Sequence, residues 1–116
     1  MSEAIELARY YFKLSNQGRL KDIRQLFTPS STYSSAFTGV YLGVEQIMTM
    51  QTKFFAGFKS MEWRIHSEEE IRPGVVLFDF TFMGETVSGD EVCRPGLEYV
   101  IVFGDKLQHV EVREKT

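Results

Sequence analysis

The chain has 116 residues, of which 43% are apolar and 25% charged, the composition of one globular domain with a core of its own. Thirteen basic against sixteen acidic residues leave a formal charge of -3, which excludes the clustered positive charge that nucleic-acid binding needs. A single cysteine, Cys93, can form neither an internal disulfide nor a thiolate metal cluster.

Aromatic residues reach 14%, so the core is bulky or encloses an aromatic-lined cavity. The opening residues Met1 to Glu6 carry neither a basic segment nor an apolar one, and no secretory signal is legible. No apolar run approaches the roughly 18 residues of a membrane helix, and a cytoplasmic protein without membrane contact is expected.

Ser2 is placed to cap a first helix, with Glu3 and Glu6 in the turn where the helix dipole favours negative charge. Ala4, Leu7, Ala8, Tyr11 and Leu14 recur at helical spacing, and Gly18 is a natural stop. Leu20, Ile23 and Phe27 mark a short second helix that Pro29 ends. Thr32 to Phe37 reads as a short strand. Gly43 then opens a third helix, whose positions Val44, Ile47, Met48, Gln51, Phe55 and Phe58 keep the same period, with Gly57 near its end.

From Ser60 the period changes to two. Met61, Trp63 and Ile65 alternate with Glu62, Arg64 and His66, the pattern of a half-buried strand. Arg72-Pro73-Gly74 is a turn, after which Val76, Phe78, Phe80 and Phe82 share one face of a second strand. A third strand, Val92 to Phe103, is expected to break at Pro95-Gly96. Gly104-Asp105 turns the chain into a last strand over Leu107 to Arg113. Helices first and an antiparallel sheet after them define an α+β layout.

The run Ala8 to Leu20, Ile23 to Phe27 with Thr28-Pro29, and Tyr41-Leu42-Gly43-Val44-Glu45-Gln46-Ile47 resemble the first three helices of nuclear-transport-factor-2-like proteins. The strand Val75 to Met83 and the hairpin Val100 to Val112 complete the match, which spans nearly all of residues 1–116 as one SnoaL-like domain. The resemblance is to the SnoaL-like and ketosteroid-isomerase-like branch. It implies a cone-shaped, cystatin-like fold in which three helices pack on a strongly bent antiparallel sheet, with a pocket at the open end. Isomerases, cyclases, dehydratases and non-catalytic domains share this shell, so chemistry has to be argued from the site.

Tyr11 matches the isomerase tyrosine that donates to the substrate oxyanion, although its helical period equally makes it a core residue. Glu98 matches the oxyanion-binding acid, and an apolar pocket would keep its carboxyl protonated; the alternative is an outward-facing glutamate on the sheet. Trp63, Phe55, Phe78, Phe80 and Val100 are the candidate pocket walls, with Phe54 and Phe82 beside them. The position that carries the isomerase base is occupied by Ser34, and no Asp or Glu lies between Asp22 and Glu45. His66 and His109 both alternate outward, neither has metal-ligand spacing, and Cys93 beside Arg94 has no partner base. Neither a metal nor a cofactor is expected. The run Glu68 to Glu70 reads as a solvated strand end.

Two readings remain open at this level. One is an isomerase- or cyclase-type enzyme that stabilises an enolate of a small, mostly apolar ligand through Tyr11 and Glu98. The other is a non-catalytic homodimeric binding or protein-interaction domain. Either is expected to be a homodimer, because Leu77, Met83, Tyr99, Ile101 and Phe103 fall on the sheet face away from the helices.

Overall fold

The computed structural model describes residues 2–115. Helix α1 runs Glu3–Gln17, with Ser2 Oγ accepting from the Ile5 N–H at 3.1 Å. Gly18 ends it at φ 68°, and the Arg19 N–H closes the turn on the Leu14 carbonyl at 3.0 Å. Helix α2, Leu20–Arg24, is one turn, and α3 spans Gly43–Ala56. The start of α3 is held by a close approach: Gly43 adopts φ 84°, donates to the Ser31 carbonyl at 2.7 Å, and a Cβ there would lie 3.0 Å from the Pro29 carbonyl oxygen.

Six strands follow the order β2-β1-β6-β5-β4-β3. They are β1 (Thr32–Ser35), β2 (Gly39–Leu42), β3 (Phe58–Arg72), β4 (Val75–Thr86), β5 (Glu91–Phe103) and β6 (Lys106–Glu114). Sequence reading misses β2, because four residues are too short to show a period. It also expects a wholly antiparallel sheet, whereas β1 runs parallel to β6, with Tyr33 opposite Val110 and Ser35 opposite Val112. That pairing joins residues more than seventy positions apart, and nothing local announces it.

The expected break at Pro95-Gly96 does not occur: β4 and β5 stay in register from Val75↔Ile101 to Glu85↔Glu91. Gly96 is there because Phe80 crosses it, and a Cβ would meet the ring at 2.8 Å. The irregularities that do occur lie in β3, at Phe58/Ser60, Ile65/Ser67 and Glu70/Arg72, and between Ile101 and Val102 of β5.

The inner face of the sheet carries the core. Val76, Phe78, Phe80 and Phe82 of β4 are buried there; Phe12 of α1 meets Phe78 at a ring-centroid distance of 4.6 Å, and Phe82 packs against Phe54 and Trp63. Val100, Val110 and Leu107 are wholly enclosed beside them. The acidic run of β3 is tied down rather than simply solvated: Glu68 pairs with Arg9, and Glu70 accepts the Gly74 N–H at 2.9 Å. On the outer face Thr32 Oγ1 and His109 Nδ1 are 2.7 Å apart, and His109 Nε2 lies 3.0 Å from Glu111. Among the described residues no helix is long and apolar enough to cross a membrane.

Candidate functional site

Between α1, α3 and the inner face of the sheet lies a cavity of about 60 Å³. By volume that is room for a few water molecules or one compact group, below the roughly 300 Å³ at which drug-sized pockets begin. Tyr11, Tyr33, Gln51, Arg94 and Glu98 supply its polar wall, and Phe54, Phe55, Trp63 and Phe82 much of its apolar wall.

Glu98 is 3% exposed and stands between Phe78 and Val112 on the neighbouring strands. Burial pushes its carboxyl up to about 8, so at neutral pH the neutral acid predominates and carries an O–H donor. Tyr11, on the buried face of α1, is 4% exposed and accepts from Gln51 Nε2 at 3.0 Å. Its hydroxyl donates in turn to Tyr33. Burial holds both phenols above their ordinary range, and the nearby Glu98 carboxyl adds to this. The order is therefore Gln51 to Tyr11 to Tyr33, and each donor polarises the next. Gln51 Oε1 is buried and has no partner among the described residues.

Tyr11 and Glu98, the two residues singled out from the sequence, thus line one cavity, together with Trp63, Phe55 and Phe80. Phe78 and Val100 are not among the residues that line it: both are fully enclosed in the core, where Phe78 is packed against Phe12. Ser34, at the position of the isomerase base, faces away from the cavity and donates to Glu111 Oε2 at 3.0 Å. Strand alternation turns its neighbours Tyr33 and Ser35 inward instead. Sequence reading overlooked Tyr33, Gln51 and Arg94. The signal was faint, since a four-residue strand leaves the facing of its side chains to the partner strand.

Glu98 is the only carboxyl among the described residues that line the cavity, and no imidazole joins it. Among the described residues no group of three His, Cys, Asp or Glu side chains is placed to hold a metal ion.

No protein-family model matches this sequence, and no curated protein matches it. Solved structures do match its fold. A proposed SnoaL-like polyketide cyclase from Shewanella putrefaciens superposes with a TM-score of 0.88 at 11% identity, covering 97% of this chain and 90% of the other. An NTF2-like protein of unknown function from Burkholderia pseudomallei gives 0.87 at 11% identity, over 99% and 92% of the two chains. A protein with a ketosteroid-isomerase-like fold from Catenulispora acidiphila, solved with trimethylamine, gives 0.84 at 14% identity, over 95% and 85%. The chain therefore has the nuclear-transport-factor-2-like fold, and its structural neighbours are SnoaL-like and ketosteroid-isomerase-like proteins.

Proposed function

We propose that this domain binds a small, mostly apolar carbonyl compound and stabilises its enol or enolate, as an isomerase- or cyclase-type enzyme without metal. The observation that carries the reading is Glu98, an enclosed carboxyl with its pKa raised to about 8, beside the end of a tyrosine chain. A carbonyl oxygen placed between Glu98 and Tyr33 receives two hydrogen bonds. Both strengthen as negative charge builds on that oxygen, which is the requirement for lowering the barrier rather than only binding substrate. Tyr11 holds Tyr33 in place and sharpens it as a donor. The likeness to proposed polyketide cyclases and to the ketosteroid-isomerase fold supports the same class.

Ser34 faces the opposite side of the sheet, and among the described residues the cavity offers no second carboxylate to take a proton from carbon. The substrates this site can serve are accordingly those already acidic enough to enolise readily.

A phenol carries its hydroxyl on an unsaturated carbon, as an enol does. Calorimetric titration of phenol at pH 6 should show binding that weakens about tenfold in Tyr33→Phe, the worth of one hydrogen bond. Glu98→Leu should weaken it similarly. Equal affinity for phenol in all three proteins would refute the proposal.

The outer face of the sheet is the proposed homodimer contact. Leu77, Tyr99 and Ile101 cluster there, half-buried, and Asp79 Oδ1 is enclosed with no partner among the described residues. Both features are what a second copy of the chain would cover.

A further inference from the structure

We propose that Arg94 forms a carboxylate subsite at the mouth of the cavity, so that the preferred ligand is a small carbonyl acid, mimicked by an aromatic hydroxy acid, rather than a neutral carbonyl compound, mimicked by phenol. The inference rests on the enol-stabilising reading above and adds the substrate class to it.

Arg94 sits on β5 opposite the buried Phe82, so its side chain leaves the inner face of the sheet and lines the cavity. Arg9, Arg19, Arg24 and Arg64 each meet a carboxylate. Among the described residues Arg72, Arg94 and Arg113 form no such pair, and of these Arg94 alone lines the cavity. Its guanidinium instead lies over the Phe37 ring, 5.3 Å from the centroid, a contact that holds the group in place and leaves its N–H donors unspent.

Glu98, the one carboxyl in the cavity, does not neutralise it. Burial keeps the carboxyl mostly in its neutral form at neutral pH, so it offers the guanidinium no full negative charge. The site therefore joins one unpaired cation to neutral donors and the unpartnered acceptor Gln51 Oε1. A ligand cation is repelled by this arrangement, a neutral ligand leaves the guanidinium unused, and an anion with a hydroxyl or carbonyl at its other end uses all of it.

Spacing limits the size of that anion. Glu98 lies four positions along β5 from Arg94, which puts their Cα atoms about 13 Å apart. Both side chains rise from the same face of the strand, so their heads stand about that far apart, and a hydrogen bond of about 2.8 Å at each end leaves the span of a single substituted ring. Carboxylate is the favoured anion because its two oxygens match the planar guanidinium fork.

The test is calorimetry at pH 6 with three probes that differ only in charge: phenol, 3-hydroxybenzoate and 3-hydroxybenzylamine. The unaltered protein should bind the hydroxybenzoate at least tenfold more tightly than phenol, and the amine most weakly. In Arg94→Gln the ratio of hydroxybenzoate to phenol affinity should fall to about one, and Arg94→Lys should recover part of it. Circular dichroism establishes that each variant is folded.

A hydroxybenzoate preference that survives Arg94→Gln, or no preference in the unaltered protein, overturns the subsite and leaves the enol-stabilising reading standing. Phenol binding that ignores Tyr33→Phe overturns that reading instead. Failure of all three probes to bind at millimolar concentration overturns both.

Discussion

Replacing Glu98 by glutamine keeps the shape of the buried side chain, puts an amide N–H donor where the neutral acid has its O–H, and deletes the ionisation. In an unfolded chain this carboxyl titrates near 4.5, and in the fold near 8. Between those values the folded protein retains a proton that the unfolded chain has released. Stability must therefore fall as pH rises, by about 1.4 kcal/mol for each pH unit. The contribution is complete below pH 4.5, is lost progressively as pH climbs through 8, and is flat above that. From pH 5 to pH 8 the loss comes to about 3 to 4 kcal/mol, a large share of the 5–15 kcal/mol typical of a domain. Glu70 and Glu111 are shifted downward, so their contributions fade only as pH drops below the carboxylate range, outside this window. The raised phenols of Tyr11 and Tyr33 act above pH 10.

Urea denaturation at pH 5, 6, 7 and 8, followed through the lone tryptophan Trp63, measures the slope directly. The unaltered protein should lose stability steadily across the series while Glu98→Gln stays nearly level, so that the variant is the more stable of the two at pH 8. Parallel curves for the two proteins would mean that Glu98 ionises as freely in the fold as out of it. The argument for a neutral donor in the cavity would then be lost.

Phe78→Ala should cost about 3 to 5 kcal/mol, since the ring is fully buried against Phe12; a loss below 1 kcal/mol by urea denaturation would show the core able to collapse around the gap. Light scattering at micromolar concentration should give twice the 13.4 kDa mass of the chain, and a monomer mass would remove the proposed sheet-face contact. Incubation with a β,γ-unsaturated ketosteroid should give no conjugated product above buffer, because the cavity of about 60 Å³ is too small for a steroid and Ser34 faces away from it. Turnover that disappears in Tyr11→Phe would contradict this.

Local signals in the sequence sufficed for much of the architecture. Ser2 and Gly18 bound α1, Gly43 opens α3, and the change of period near Ser60 marks the passage from α3 into β3, which begins at Phe58. The alternation of Val76, Phe78, Phe80 and Phe82 named the buried face of β4; that of Glu98 with Val100 left the carboxyl open between the inner side and an outward-facing glutamate, and the fold turns it inward. These succeed because capping, helical period and strand alternation depend on neighbours within a few residues. Tertiary structure alone decided the rest. The parallel pairing of β1 with β6 brings Tyr33 rather than Ser34 to the cavity, a choice of facing made by a strand far along the chain. Packing under α1 draws Phe78 and Val100 into the core while Trp63 and Phe55 remain at the wall, although all four are equally apolar by sequence. Gln51 and Arg94 join the site only because α3 and β5 converge on one cavity, and convergence between distant elements has no periodicity from which to read it.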